Sequence, residues 1–218
     1  MSQPNTKKTL RCTVFASGGG SNFQTLIDKK TSGDLHVDFV LMIGNNSGAK
    51  AFERARTNNI PTLHTAPSHF ADEDLYAAYL ISILKNVNTE LIVLAGYMKK
   101  LPSLIINEYR NKIVNIHPAL LPAFGGKGMY GINVHRAVIE YGAKVSGITV
   151  HFVDEEYDHG PVIMQKTVPV LDDDDESTLA SRVLEAEHEY YWKAVQAIAQ
   201  GNVRVEGRKV IWLWTKHA

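Results

Sequence analysis

Short runs of β-branched and other apolar residues alternate with longer segments of helical periodicity through the first half of the chain. The runs predict strands, and apolar residues recurring at the helical period predict helices. Alternating strands and helices predict a parallel sheet with crossover helices, whose ligand sites lie at the carboxyl ends of the strands. The predicted strands, each followed by its helix, are Thr13–Ala16 and Asn22–Lys30, Val37–Ile43 and Ala49–Asn58, Thr62–His64 and Ala71–Lys85, and Leu91–Leu94 and Ser103–Tyr109.

The second half of the chain has a different order of elements. Two apolar runs joined by the polar turn Asp154–Gly160 predict a strand pair, and a long amphipathic segment predicts one long helix. We therefore expect a single α/β domain over residues 1–218, with a mostly parallel twisted sheet, flanking helices and a mononucleotide-binding N-terminal half. The predicted elements of the second half are the strand Ile113–Ile116, the helix Val134–Tyr141, the strands Val145–Val153 and Val162–Val170, the helix Ser177–Gln200, and a hairpin of Val203–Glu206 and Lys209–Leu213.

Composition is that of an ordinary soluble protein, since the 218 residues are 44% hydrophobic and 21% charged. Because 23 basic residues balance 23 acidic ones, we expect no general attraction to nucleic acid or to a membrane. The N-terminal Met1–Thr9 is polar and lacks the apolar core of a secretory signal, so we expect a short tail and a cytoplasmic protein. The single cysteine, Cys12, lies in an apolar run and cannot form an internal disulfide.

A glycine-rich segment, Ser17–Asn22, follows the first predicted strand directly and opens the first helix. Glycines let the backbone approach a ligand, and the free N–H groups of a helix start bind phosphate, so one interpretation is a phosphate loop. The other is a glycine turn in which Ser21 caps the helix, and the segment alone supports both. Phe23 stands where a dinucleotide fingerprint needs glycine, and the Gly-Lys-Ser/Thr ending of a triphosphate loop is absent from the segment. A monophosphate is therefore the expected anion.

Asn115 and His117 are separated by one residue on a predicted strand that Pro118 ends. Side chains two positions apart on a strand point the same way, so the carboxamide and the imidazole share one face. Both groups can donate hydrogen bonds to a developing oxyanion, and histidine also exchanges a proton near neutral pH. A strand-end histidine bonded to backbone is the alternative interpretation.

The polar segment His151–Pro161 carries four carboxylates and two histidines. A carboxylate beside an imidazole stabilises its protonated form, so we expect one of these acids to support His117. A solvated acidic turn is the alternative, and chemistry alone does not distinguish the four acids. A metal site of His151, Asp158 and His159 is disfavoured because these residues lack the i, i+4 spacing of a zinc-binding helix.

Four segments, taken in order, resemble the formyltransferases that use 10-formyltetrahydrofolate. The glycine-rich segment is similar to the family's phosphate loop, and the Asn-Ile-His-Pro block is similar to its catalytic strand. The likeness extends from about Leu10 to the hairpin near Trp212. The four segments are Ser17–Asn22, Ala95–Met98, Asn115–Pro122 and Asp158–Ile163.

This resemblance implies an enzyme of purine biosynthesis that moves the formyl group of 10-formyltetrahydrofolate, its co-substrate, to the amine of glycinamide ribonucleotide without a required metal. It implies that Asn115 and His117 are catalytic, and that Asp158 is the acid that supports the histidine. The implied ribonucleotide contacts are Gly20, Ser21, Asn22 and Glu187. The implied folate contacts are Met98, Lys99, Lys100, Leu101, Asn115, Val153 and Asp154. The resemblance also implies a phosphate-binding half of about residues 10–112 and a catalytic, folate-binding half of about residues 113–218.

Several positions depart from the family's pattern. The glycine-rich segment Ala123–Gly131 is longer than in many relatives, and we expect it to form a mobile cover. Leu184 stands where some relatives have a substrate-binding lysine, and Glu73 lies near the position of an arginine that touches folate. Lys99-Lys100 replaces the Arg-Ile of several relatives and keeps positive charge for the glutamate tail of the folate.

Other functions remain as alternatives. A formyltetrahydrofolate hydrolase shares the same blocks but usually carries an added N-terminal domain, whereas about nine residues precede the first predicted strand here. Methionyl-tRNA formyltransferase needs a C-terminal RNA-binding domain, for which the residues after the last strand leave no room. A non-catalytic sensor of nucleotide phosphate would keep Ser17–Asn22 without needing Asn115, His117 and Asp158 together. We expect small-molecule partners and a monomer or homodimer.

Overall fold

A computed structural model of the chain describes residues 9–213, so Met1–Lys8 of the predicted tail lie outside the described residues. Across the described part, no helix combines the length and the apolar character needed to cross a membrane. The elements of the first half are β1 (Leu10–Ala16), α1 (Ser21–Thr31), β2 (Val37–Gly44), α2 (Ala51–Thr57), β3 (Thr62–His64), a 3₁₀ turn (Pro67–His69), α3 (Glu73–Asn86), β4 (Leu91–Leu94) and α4 (Ser103–Glu108). Those of the second half are β5 (Ile113–His117), α5 (Ile132–Tyr141), β6 (Val145–Phe152), β7 (Val162–Pro169), α6 (Glu176–Ala199), β8 (Val203–Glu206) and β9 (Lys209–Trp212).

The strands form one nine-stranded sheet in the order β3-β2-β1-β4-β5-β6-β7-β9-β8. Strands β1 to β5 are parallel, and β6 and β7 continue antiparallel from β5. The chain winds outward from β1 to β3 and then returns to the other side of β1 through β4. A crevice forms at such a reversal, outside the carboxyl ends of the strands. The predicted fold class, a mostly parallel α/β sheet with a strand pair in its second half, is confirmed.

Two apolar layers cover the sheet because both faces of β1 and β4 are buried. On β1, Val14 joins the layer formed with α1, α2, α5 and α6, whereas Phe15 joins the layer formed with α3 and α4. On β4, Val93 joins the first layer and Ile92 the second. Strands buried on both faces need continuous apolar runs, which is the pattern that predicted these two strands.

The long helix α6 begins at a defined cap. The Asp175 carboxylate accepts hydrogen bonds from the backbone N–H groups of Ser177 and Thr178, and the Thr178 hydroxyl accepts one from the Asp175 N–H. This capping box satisfies N–H groups that have no acceptor within the helix. Arg182 donates to Asp174 with two nitrogens and keeps the pKa of that carboxyl below its ordinary value. The acidic residues before α6 therefore fix the start of the helix.

Tyr191 of α6 connects this helix to the strands beneath the crevice. Its side chain is buried, and its hydroxyl donates to the Leu94 carbonyl oxygen at 2.8 Å, with the Val114 carbonyl oxygen 3.2 Å away. Burial raises the pKa of Tyr191 well above its ordinary value, so the hydroxyl keeps its hydrogen and acts as a donor. Leu94 ends β4, so this contact fixes α6 against a strand whose following loop reaches the crevice.

We predict that Tyr191→Phe lowers the free energy of unfolding by about 1–2 kcal/mol, because the buried carbonyl oxygens lose their donor. Urea denaturation followed by circular dichroism measures the change. Tyr141→Phe is the control, since Tyr141 is 81% exposed. Equal unfolding free energies for both variants would contradict the prediction.

Candidate active site

A cleft of about 740 Å³ opens where the winding of the sheet reverses. Its lining includes the segment after β1 with the start of α1, the segment after β4, the end of β5 with the segment that follows it, the turn after β6, and parts of α5 and α6. Every residue predicted from the sequence to bind substrate or to act in catalysis lines this cleft. These residues are Gly20, Ser21, Asn22, Met98, Lys99, Lys100, Leu101, Asn115, His117, Val153, Asp154, Asp158 and Glu187.

The glycine-rich segment makes a tight turn into α1. Gly20 occupies the N-cap position of α1 with φ 69° and ψ 32°, and no side chain caps the helix, so the interpretation of Ser21 as a cap is wrong. This left-handed conformation favours glycine, and a Cβ on Gly20 would lie 2.8 Å from the Ala51 Cβ. At Gly18 and Gly19 an added Cβ would meet nothing within 4 Å. The turn therefore packs against α2 on one side and leaves open space beside its first two glycines.

Asn22 and Glu187 form a buried polar pair beside this turn. Asn22 Nδ2 donates to Glu187 Oε2 at 2.6 Å. Burial raises the pKa of Glu187 from 4.5 to about 7, although the hydrogen bond from Asn22 acts in the opposite direction. Among residues 9–213, Asn22 Oδ1 has no hydrogen-bond partner. Because buried acceptors are normally paired, a ligand that brings hydroxyl or amine hydrogens would suit this end of the cleft.

His117 is the last residue of β5, and both of its ring nitrogens have neighbours. Nδ1 lies 3.5 Å from Asp158 Oδ2, and Nε2 lies 2.8 Å from the Phe124 carbonyl oxygen. A carbonyl oxygen accepts but does not donate, so Nε2 carries a hydrogen in this arrangement. The acid beside His117 is Asp158, whereas Asp154 pairs with His159 at 2.8 Å. The geometry therefore distinguishes between two acids that chemistry alone left equivalent.

Asp158 is fixed by the segment that was expected to form a cover. Its carboxylate accepts a hydrogen bond from the Gly126 N–H at 2.9 Å, and its backbone has φ 54°, an unusual value for a residue with a side chain. Such a conformation persists where the surroundings over-determine it. The cover segment, Ala123–Gly131, thus contacts both His117 and Asp158, and its residues 126–131 line the cleft. Its mobility stays a prediction.

Asn115 is oriented by His151, which lies directly opposite it on β6. His151 Nδ1 lies 2.8 Å from the Phe152 carbonyl oxygen and so carries the hydrogen of a neutral ring. Nε2 is then free to accept a hydrogen from Asn115 Nδ2, 3.2 Å away. Burial lowers the pKa of His151, in agreement with a neutral ring. One amide hydrogen of Asn115 is thereby used, and the second remains for a ligand in the cleft.

His135 of α5 is a further buried histidine in the wall of the cleft. Burial, and to a smaller extent the nearby His117, lowers its pKa. Its Nδ1 has no hydrogen-bond partner within the described part of the chain. His151 forms a hydrogen bond with one of the catalytic candidates, Asn115, whereas His135 has no such bond among residues 9–213.

A single hydroxyl connects the glycine-rich segment with the segment after β4. Ser17 donates to Asn45 Oδ1 at 2.6 Å and accepts a hydrogen bond from the Met98 N–H at 2.8 Å. The Ser17 N–H also donates to the Gly96 carbonyl oxygen at 3.0 Å. The ends of β1, β2 and β4 are therefore fixed to one another at the floor of the cleft.

Of the residues that depart from the family's pattern, some line the cleft and one lies outside its lining. Leu184 lines the cleft from α6, and Lys99 and Lys100 line it from the segment after β4. The Lys100 ammonium lies 5.4 Å from the centre of the Tyr157 ring, within the range of a cation–π contact. Glu73 lies in the first turn of α3 and is not part of the cleft lining.

Together these features define a class of protein. It is an α/β protein whose first strand–helix turn is suited to an anion, and whose adjacent amide, imidazole and carboxylate are suited to stabilise a developing oxyanion. The sequence pattern of the family described as "Formyl transferase" matches residues 10–195. The chain belongs to this family, which confirms the resemblance drawn from the four sequence segments.

Individual relatives are similar over most of the chain. The chloroplastic phosphoribosylglycinamide formyltransferase of Vigna unguiculata is 41% identical over 198 residues, which are 91% of this chain and 64% of that protein. The phosphoribosylglycinamide formyltransferase of Bacillus subtilis is 36% identical over 193 residues, covering 88% of this chain and 96% of that one. The crystal structure of glycinamide ribonucleotide transformylase 1 from Symbiobacterium toebii superposes with a TM-score of 0.89 at 36% identity, covering 94% and 95% of the two chains.

We predict that Glu187 makes the protein less stable as the pH rises from about 4.5 to about 7. The pKa of Glu187 is higher in the folded chain than in the unfolded one, so the folded state is stabilised by a bound proton below this range and loses that stabilisation as the proton leaves. Glu187→Gln stays neutral and is expected to be more stable than the unmutated chain at pH 8, by on the order of 3 kcal/mol, and nearly equal at pH 5.

Thermal and urea unfolding across this pH range measure the difference. Glu185→Gln is the matched control, because Glu185 is an exposed residue of the same helix. A Glu187→Gln stability profile that runs parallel to that of the unmutated chain at every pH would show that the buried carboxyl does not titrate as stated.

Proposed function

We propose that the protein transfers the formyl group of 10-formyltetrahydrofolate to the amine of glycinamide ribonucleotide, giving formylglycinamide ribonucleotide and tetrahydrofolate. The observation that carries the proposal is the meeting of Asn115, His117 and Asp158 in one cleft with the glycine-rich segment. Membership of the formyl transferase family, whose enzymes use a formylated folate as co-substrate, supports the formyl donor. The names of the relatives above support the acceptor.

In this proposal the phosphate of the ribonucleotide binds at the start of α1, on Gly20, Ser21 and Asn22. The N–H groups of a first helical turn have no acceptors within the helix, and the helix dipole favours an anion there. Glu187 accepts hydrogen bonds from the same substrate. Its contact with Asn22 places this acceptor beside the phosphate site, so one molecule can engage both.

The folate lies along Met98–Leu101 and beneath the turn after β6. Val153, Asp154 and Asn115 line the cleft. In this proposal Asn115 lies between the two substrates. Lys99 and Lys100 provide positive charge where the glutamate tail of the folate leaves the cleft. No metal takes part in this scheme.

The reaction is direct acyl transfer. The amine nitrogen attacks the formyl carbon, a C–N bond forms, and the carbonyl oxygen takes up negative charge. The Asn115 amide and the protonated His117 ring donate hydrogen bonds to this oxygen, while Asp158 balances the charge of the ring. The bond from the formyl carbon to the folate nitrogen then breaks. The folate nitrogen gains a proton and the attacking amine loses one.

His117 cannot donate to this oxygen while its Nε2 is bonded to Phe124. The substrate oxygen must replace the Phe124 carbonyl oxygen, so the cover segment has to shift when both substrates are bound. The same segment donates to Asp158 through the Gly126 N–H. A single displacement therefore changes the hydrogen bonding of the imidazole and of the carboxylate together.

A division of labour within one domain belongs to the same proposal. Residues of about 10–112 form the phosphate-binding half, and residues of about 113–218 form the catalytic and folate-binding half. Small molecules are the partners of this scheme. A monomeric or homodimeric state and a cytoplasmic location stay predictions.

The test combines the purified protein with glycinamide ribonucleotide and a 10-formyl folate analogue, and follows loss of the formyl group by absorbance. Product formation that requires both substrates supports the transferase. Folate breakdown without the ribonucleotide would indicate a formyltetrahydrofolate hydrolase. Binding of the ribonucleotide without any turnover would indicate a non-catalytic phosphate sensor.

We predict that Asn115→Ala and His117→Ala each lower kcat by about 100- to 1,000-fold, because each removes one donor to the oxyanion. KM for the ribonucleotide should change little in both variants, since its proposed contacts are untouched, whereas Asn115→Ala also removes one proposed folate contact. Asn107→Ala and His69→Ala are the controls, as both residues are exposed and lie outside the cleft lining. Near-normal turnover by His117→Ala in steady-state kinetics would remove the role given to that residue.

A further inference from the structure

We propose that Arg54 is a positioning residue for the phosphate site. It lies on α2, outside the cleft lining, and we infer that it turns the backbone N–H groups of Gly19 and Gly20 toward the ribonucleotide phosphate. The inference rests on the proposed function and deepens it, because it explains how the three glycines of the segment, which have no side chains, are kept in an anion-binding conformation.

Arg54 joins the glycine-rich segment to the first helix. Its Nε donates to the Gly19 carbonyl oxygen at 2.8 Å, and its Nη1 donates to Gln24 Oε1 at 3.1 Å. One turn earlier on the same helix, the Ala51 N–H donates to the Gly18 carbonyl oxygen at 3.2 Å. Two successive carbonyl groups of the segment are therefore directed at α2.

The directions of these carbonyl groups fix the directions of the N–H groups. In a planar trans peptide unit, the C=O and the N–H point opposite ways. The Gly19 N–H belongs to the peptide unit of the Gly18 carbonyl, and the Gly20 N–H belongs to that of the Gly19 carbonyl. Both N–H groups consequently point away from α2, and neither has an acceptor among residues 9–213. Gly18, Gly19 and Gly20 line the cleft, and we infer that these two N–H groups face it.

Arg54 is needed because the peptide unit after Gly19 has no other hydrogen bond among residues 9–213. Glycine residues populate many backbone conformations, and rotation of the peptide unit after Gly19 would turn its carbonyl oxygen toward the cleft. A carbonyl oxygen in that position would repel a phosphate and remove one N–H donor from it. The guanidinium group prevents this rotation by a charge-assisted hydrogen bond, and its positive charge raises the local potential for an anion.

The experiment measures the dissociation constant of glycinamide ribonucleotide by calorimetry in the absence of folate, together with KM and kcat. Arg54→Gln is expected to raise both the dissociation constant and KM of the ribonucleotide by about 10-fold, the size of a lost hydrogen bond from a charged donor. The value of kcat and the KM for folate should stay unchanged. Arg54→Lys should recover part of the affinity, because an ammonium can reach Gly19 but cannot bridge to Gln24 at the same time.

Arg56→Gln is the matched control. Arg56 is exposed on the same helix, with its guanidinium carbon 5.6 Å from the centre of the Phe52 ring. Glycinamide riboside, which lacks the phosphate, provides the second control: Arg54→Gln should bind it as the unmutated protein does. Equal ribonucleotide affinity in Arg54→Gln and Arg56→Gln would overturn the proposal. Equal losses for riboside and ribonucleotide would also overturn it.

The test of Arg54 and the test of the proposed transferase activity can be told apart. If the unmutated protein binds the ribonucleotide but forms no product, the transferase fails while the dissociation constants still decide the role of Arg54. Failure of the unmutated protein to bind the ribonucleotide overturns both. If Arg54→Gln does not fold, an Arg54→Lys affinity identical to that of the unmutated protein would overturn the proposal, and an intermediate affinity would support it.

Discussion

The burial of both faces of β1 and β4 is the constraint on which the site depends. Helices cover both faces of these strands, so the chain reaches solvent only at the strand ends, where the loops begin. Because the winding reverses between β1 and β4, the loops that follow them diverge and leave a cleft. The Ser17 hydroxyl joins the ends of β1, β2 and β4, and the Tyr191 hydroxyl attaches α6 to the end of β4. A rigid floor of this kind allows the loops above it to carry the chemistry.

Polar side chains within the cleft hold one another in position, because buried polar atoms need hydrogen-bond partners. His151 orients Asn115 and Asp158 faces His117, so the two donors proposed for the oxyanion each have a supporting neighbour. Donors fixed in advance need no reorganisation when charge develops on the substrate, and this is the physical basis for their effect on rate. Asn22 Oδ1, which has no hydrogen-bond partner among residues 9–213, also lies in this cleft, and the proposed ribonucleotide would supply a donor to it.

Sequence reasoning reached the fold because strands buried on both faces and amphipathic helices have distinct apolar periods. It placed Asn115 and His117 on one strand face for the same reason. It could not choose Asp158 by chemistry, because the choice depends on the conformation of a turn, and the family resemblance supplied it. Ser21 failed as a cap because Gly20 takes the left-handed N-cap position itself. Contacts such as Arg54 with Gly19 join residues far apart in the chain and follow only from the packing of α2 behind the loop.

The two outermost strands of the sheet, β3 and β8, have three and four residues. Open strand edges can recruit another chain through unpaired backbone groups, and short or charged edges suppress this. β8 also carries Arg204 and Glu206, which form an ion pair on the strand itself. The two edges of this wide sheet therefore offer few unpaired backbone groups for aggregation. Its longer central strands are protected from pairing with strands of another molecule.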